Sequence, residues 1–208
     1  MKNTVFTCIL VLSIHCFSKL FAQDRSKFMA DKNMELNKTQ TFIGFSTGFN
    51  NSAGIIGINA EQQIKNQLTA HGAIGIGTWG TKFTVGVRKY KRYPIGGVFS
   101  ASFSYATGIE EIEPVIPVKN LATNAVIDTT VLMRLNPAAA LNLSWAYHIK
   151  VGKRSKMYFE TGYSFPLSPN RQYRILTNGY GTTQTSDVLM RFFQPSGPIL
   201  AIGFLFGS

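Results

Sequence analysis

Large apolar and small or polar side chains alternate with a period of two along most of this chain. Phe99, Ala101, Phe103 and Tyr105 share one parity, and Ser100, Ser102 and Ser104 the other. Leu141, Leu143, Trp145 and Tyr147 alternate with Asn142, Ser144, Ala146 and His148. Met157, Phe159, Tyr163 and Phe165 oppose Glu160, Gly162 and Ser164, and Phe83, Val85 and Val87 oppose Lys82, Thr84, Gly86 and Arg88. Successive side chains of a strand point to opposite faces, so this period marks strands whose two faces meet different surroundings. Helical periodicity is almost absent. The pattern predicts eight strands: Thr41–Asn50, Gly54–Ile64, Leu68–Thr78, Thr81–Tyr90, Gly96–Thr107, Leu135–Lys150, Lys156–Phe165 and Pro198–Gly207. They are longer than the ~5–6 residues of an ordinary strand and match the ~9–11 residues a tilted strand needs to cross a bilayer.

Two all-β architectures have one large apolar face. A soluble barrel turns that face inward, and a membrane barrel turns it outward to lipid. Three features favour the membrane. Trp, Tyr and Phe stand near segment ends, where aromatic girdles sit. The other parity carries the charges Glu61, Lys82, Arg88 and Glu160, too few for a solvated exterior. It also carries many small residues, among them Gly44, Gly48, Gly57, Gly75, Gly77, Gly86 and Gly203, which suit a narrow eight-stranded interior, strand curvature or trapped water. Connections differ by side: "IKNQ", "KYKRYP" and "VGKRS" are short, whereas the long loops 108–134 and 167–197 share the other side with the short "NSA" and "WG" connections. The expectation is an eight-stranded antiparallel up-and-down transmembrane β-barrel over 41–208. The segment 171–193 reads as a hairpin around Asn178–Gly179 that extends the last two strands, or, in the alternative, as two further strands of a ten-stranded barrel.

Residues 1–22 read as a secretory signal peptide. Lys2 gives a positive start, Val5–Phe17 are mainly apolar, and Ala22 is the expected residue before the cut. The apolar run is shorter than the ~20 residues of a spanning helix. Residues 23–40 are polar and read as a periplasmic lead-in. Both cysteines, Cys8 and Cys16, lie in the leader, so the mature chain has no disulfide, thiolate nucleophile or cysteine metal site. Without Lys2 and Lys19 there are 19 basic residues against 10 acidic ones, a formal charge of +9. Nine of the basic residues fall at the short turns: Lys65, Arg88, Lys89, Lys91, Arg92, Lys150, Lys153, Arg154 and Lys156. Charges in turns fit a basic rim near an anionic leaflet, and nucleic acid is not an expected partner.

The chain closes on "ILAIGFLFGS", in which Leu200, Ile202, Phe204 and Phe206 form one apolar parity. This resembles the last strand of outer-membrane barrels, except that Gly207 and Ser208 follow the final Phe. With the leader and eight segments, the mature chain resembles the small outer-membrane β-barrels of the OmpA-transmembrane and OmpX type. The resemblance implies a Gram-negative-type outer-membrane location with both termini periplasmic. It also implies contact with outer-membrane lipids, and recognition of the last strand by the barrel-assembly machinery.

Fold alone does not assign a role. No catalytic residue, cofactor or metal ligand is expected. His148 and Glu160 fall on adjacent strands, but the residue two after His148 is Lys150, where a lipid deacylase of this fold would need its serine. His71 and His148 with Glu61 or Glu160 lack the short spacing of a metal site. Glu61, His71, Arg88, Lys82, His148 and Glu160 are instead expected as a polar network in the lumen. Strand pairing sets Glu61 opposite, or nearly opposite, His71 and places Arg88 near both, with Arg88 neutralising Glu61 and His71 bridging or flanking them. Loop residues Glu110, Glu111, Glu113, Asp128, Lys119, Arg134, Arg171, Tyr173 and Arg174 are candidates for a surface ligand. The leading expectation is a non-enzymatic barrel, structural or partner-binding through its long loops. The alternatives are an accessory barrel for secretion or surface assembly, and an outer-membrane lipid-modifying enzyme.

Overall fold

A computed structural model of the chain describes residues 40–167 and 172–207. The leader, its cut at Ala22 and nearly all of the lead-in lie outside them, as does Arg171. Eight strands close into an antiparallel barrel: β1 (Thr41–Phe49), β2 (Ile56–Lys65), β3 (Leu68–Gly77), β4 (Gly80–Arg92), β5 (Ile95–Ala106), β10 (Ala138–Lys150), β11 (Ser155–Pro166) and β14 (Gly197–Gly207). Each pairs with its sequence neighbour in the barrel, and β14 pairs with β1 to complete the closure. The eight-stranded fold expected from the alternation is the one observed, with boundaries within three residues.

The faces follow parity. Ile76, Val85, Phe99, Phe103 and Leu143 are exposed on the outer face, Phe99 to 71%. Ser100, Ser102, Ser104, Asn142, Ser144 and Ser164 are buried inside. On β14 Leu200, Ile202 and Phe206 are exposed, whereas Ile199 and Leu205 are buried.

The largest departure from the sequence reading is above the barrel. Loop 107–137 forms β6 (Ile109–Ile112), β7 (Val115–Asn120), β8 (Val126–Thr130) and β9 (Met133–Leu135). The second long connection forms β12 (Tyr173–Ile175), β13 (Tyr180–Thr182) and helix α1 (Gln184–Phe193). The expected hairpin around Asn178–Gly179 does not form. β12 pairs with β9, and β13 pairs with β7, so both strands join the other loop instead of each other. The ten-stranded alternative falls with it. α1 is capped by Thr183, whose hydroxyl accepts from the Ser186 backbone N–H while the Ser186 hydroxyl accepts from that of Thr183. Its apolar residues, Val188–Met190 and Phe192–Phe193, come in runs too short to show a helical period.

The two loops share a core. Ile116, Val118, Val131, Met133, Leu135, Tyr173 and Met190 are buried together, and they pack on Trp79, Ala106 and Ala138 of the barrel rim. The loops therefore form a folded cap.

Candidate functional site

The lumen is filled in layers. At the end that carries the short turns, Phe42, Tyr90, Val98, Ala146, Tyr158 and Leu205 pack together with Tyr93 against them. Tyr93 lies in the turn between β4 and β5. Burial, and then the charge of Glu61, hold its hydroxyl pKa above the usual tyrosine value.

An ion network is interleaved with this layer: Tyr90 belongs to both, and Glu61 and Lys156 stand opposite Phe42 and Leu205. Arg88 spans two carboxylates: Nη1 donates to Glu61 Oε2 at 3.3 Å and Nη2 donates to Glu160 Oε2 at 3.3 Å. Lys156 Nζ donates to Glu61 Oε1 at 3.2 Å and to the Tyr90 hydroxyl at 2.8 Å. The Tyr90 hydroxyl itself donates to Glu61 Oε1. The second oxygen of Glu160 accepts from Ser144 Oγ at 2.5 Å. Arg88 lies 5.3 Å over the Tyr158 ring, and Lys156 lies 4.0 Å over Phe42. Two carboxylates and two cations are thus paired and hydrogen-bonded, the condition for holding charge in a buried site. Arg88 Nε has no hydrogen-bond partner among the described residues.

The strand register explains which expected residues meet. Glu61 stands opposite His71, and Arg88 stands opposite Thr69, two residues nearer the turn end. Arg88 reaches Glu61 from there. His71 does not bridge the pair, because its Nε2 lies 3.2 Å from Ser100 Oγ. His148 joins through Tyr90, whose hydroxyl is 3.3 Å from its Nδ1, and stacks on Tyr158 with centroids 5.0 Å apart. Lys82 is buried but nearer the cap, and it makes no ion pair with a described residue.

The sequence reading missed Lys156 and Tyr90. Lys156, like Arg88, was counted with the basic turns, yet both are buried in the lumen. The signal was parity: Lys156 shares it with Glu160, and Tyr90 with Arg88. The Ser100–His71 contact was also missed; both residues are buried in the lumen.

Between the network and the cap, the connection 50–55 turns into the barrel. Asn51, Ser52 and Ala53 are buried, and Thr84 Oγ1 donates to Ser52 O at 2.7 Å. Asn51 and Asn59 both donate to Ser46 Oγ at 2.6 Å. The small residues of the inner face make room for this plug. A Cβ on Gly75 would stand 2.2 Å from Ala53 O, and one on Gly203 would stand 2.4 Å from the Tyr158 ring. Of the small inward glycines, Gly44, Gly48, Gly57, Gly75, Gly86 and Gly203 are sites of close packing, and Gly77 is not.

Among the loop candidates, Glu110, Glu111, Glu113, Lys119, Asp128, Arg134 and Arg174 are exposed on the cap. Arg134 and Arg174 stand directly opposite across β9 and β12. Tyr173 is not a surface residue. It is buried in the cap core, and its hydroxyl donates to Asp187.

No protein-family profile matches the chain, and no curated protein matches it. Among solved structures the chain is similar to the N-terminal β-barrel domain of OprF from Pseudomonas aeruginosa. The sequences are 7% identical, the TM-score is 0.42, and the match covers 82% of this chain and 97% of that one. The described residues form a closed eight-stranded antiparallel barrel with short turns at one end and long loops at the other.

Proposed function

We infer that this chain is a non-enzymatic integral outer-membrane β-barrel of the Gram-negative type, structural or partner-binding through its folded cap. One observation carries the reading: the faces of the barrel are inverted relative to a soluble protein. Ile43, Phe45, Ile58, Val85, Phe99 and Leu143 are all more than 40% exposed, while two glutamates, an arginine and two lysines are buried in the lumen. An apolar band of this extent in water is a liability, and in lipid it is the solvent-facing surface. Every strand edge in the barrel is paired, as a bilayer requires. Among the described residues no helix is long and apolar enough to cross a membrane; in this reading the strands of the barrel cross it.

In this reading both termini and the turns 66–67, 93–94 and 151–154 face the periplasm, and the cap faces outward. Outer-membrane lipids cover the barrel, and the outward residues of β14 meet the assembly machinery during biogenesis. A surface ligand would engage the cap. The opposed Arg134 and Arg174 suit an anionic one, since like charges directly across a strand pair repel until an anion joins them.

The test is fractionation with heat-modifiable electrophoresis. The chain should sediment with outer membranes, require detergent for release, and migrate differently before and after boiling. Recovery as a soluble periplasmic protein would remove the reading.

A further inference from the structure

A cavity of about 340 Å³ lies at the cap end of the barrel, within the range of ligand pockets (~300–1,000 Å³). Its walls are the end of β1, the Gly77–Gly80 turn and the last residues of α1. Phe49, Ile55, Trp79, Phe192 and Phe193 give it an apolar lining. Ile55 and Phe192 are more than half exposed, so its mouth is apolar as well.

The cavity has one charged lining residue, Lys82, which is 3% exposed. Its Nζ donates to the Asn50 carbonyl at 3.3 Å, one of the three donors an ammonium carries. The nearest carboxylates of the lumen are committed elsewhere: Glu61 to Arg88, Lys156 and Tyr90, and Glu160 to Arg88 and Ser144. Among the described residues Lys82 makes no ion pair, and the charge of Glu160 reaches it only from beyond contact distance, so its buried ammonium is poorly compensated. Here it stands at the inner wall of an apolar space.

The walls are braced. Asn50 adopts a left-handed backbone (φ 54°), and its Nδ2 donates to Ser196 O at 2.5 Å. Thr78 Oγ1 donates to Phe193 O at 2.7 Å, and Trp79 Nε1 donates to Asn136 O at 2.8 Å. These bonds tie the turn to α1 and to the cap, so the space is preformed and a ligand has little to order.

We propose that this cavity binds an amphiphilic monocarboxylate, with the carboxylate on Lys82 and a single acyl chain against Ile55, Phe192 and Phe193. The geometry matches the two ends of such a molecule: one desolvated cation inside, and aromatic and aliphatic groups at an apolar mouth. The site is separate from the exposed arginines of the cap and stands whether or not the cap binds a surface partner.

The test uses the full chain in phosphatidylcholine nanodiscs, titrated calorimetrically with dodecanoate, dodecanol and acetate, with empty discs subtracted. Dodecanoate should saturate at one per chain, and the other two should bind weaker by about tenfold or more, the value of a hydrogen bond to a charged group. Lys82→Met should erase the preference for dodecanoate over dodecanol, and Lys82→Arg should keep it. Heat-modifiable migration reports the folding of each variant. If Lys82→Met does not fold, the double change Phe192→Ala and Phe193→Ala replaces it and should weaken both twelve-carbon probes alike. Equal binding of dodecanoate and dodecanol to the unaltered chain overturns the proposal. So does a folded Lys82→Met that keeps the preference, or a folded double variant that binds both probes unchanged.

Discussion

Arg88 holds the lumen together because it faces two carboxylates that have unequal alternatives. Without it, Glu61 keeps Lys156 and Tyr90, whereas Glu160 keeps only Ser144. Arg88→Met therefore strands the charge of Glu160, and breaking one partner from a buried pair costs about 3–5 kcal/mol. The double change Arg88→Met with Glu160→Gln leaves Glu61 paired with Lys156 and should be milder than the single one. Urea unfolding in detergent micelles, followed by tryptophan fluorescence, gives both values. A double variant less stable than Arg88→Met would show that Glu160 is not the stranded group. The pairing of Glu61 with Arg88 was legible in the sequence, since the short turns between β2 and β3 and between β3 and β4 fix their register. The role of Glu160 as second partner was not, because β11 is remote from β4 in sequence and in barrel order, and only the diameter of the closed barrel brings them together.

At the scale of the strand, parity carries most of what can be read. Phe103 points outward and Ser102 inward. Phe103→Arg should cost roughly 2–4 kcal/mol if it lies near the bilayer midplane, and less toward either interface. The same unfolding assay measures it, and cysteine labelling by a lipid-soluble reagent should mark position 103 and spare 102. Labelling of 102 alone would invert the assignment of faces. What parity does not disclose is what fills the interior. Gly75 reads as a small inward residue, but its surroundings belong to Ala53, in a connection that sequence alone leaves outside the barrel. Gly75→Ala would force its Cβ against Ala53 O and the backbone at Gly57. We expect a loss of about 1–3 kcal/mol from overpacking and faster amide exchange at Asn51–Gly54 as the plug is pushed out. Unchanged exchange there would mean that the plug does not depend on this contact.

At the scale of the whole molecule there are two interiors, with different chemistry. The barrel is closed by charge and hydroxyl pairing, and the cap by apolar contact. The cap was not legible because its strands are three to six residues long and its two loops pair with each other at long range, β9 with β12 and β7 with β13. Short apolar runs give no period to read, and only the barrel brings their ends within reach. This shared construction predicts coupled opening. Val118 is fully buried in the cap core, on a strand that pairs with β13. Val118→Asp places a carboxylate in that apolar core and should unfold the cap. The barrel below keeps its own closure through β1 and β14 and its own ion network, so heat-modifiable migration should persist. Limited proteolysis of outer membranes from the outside should then cut in 107–137 and in 172–196 together, although the change lies only in the first. Cleavage confined to the first loop would show that the two loops open separately, and loss of heat-modifiability would show that the barrel depends on its cap.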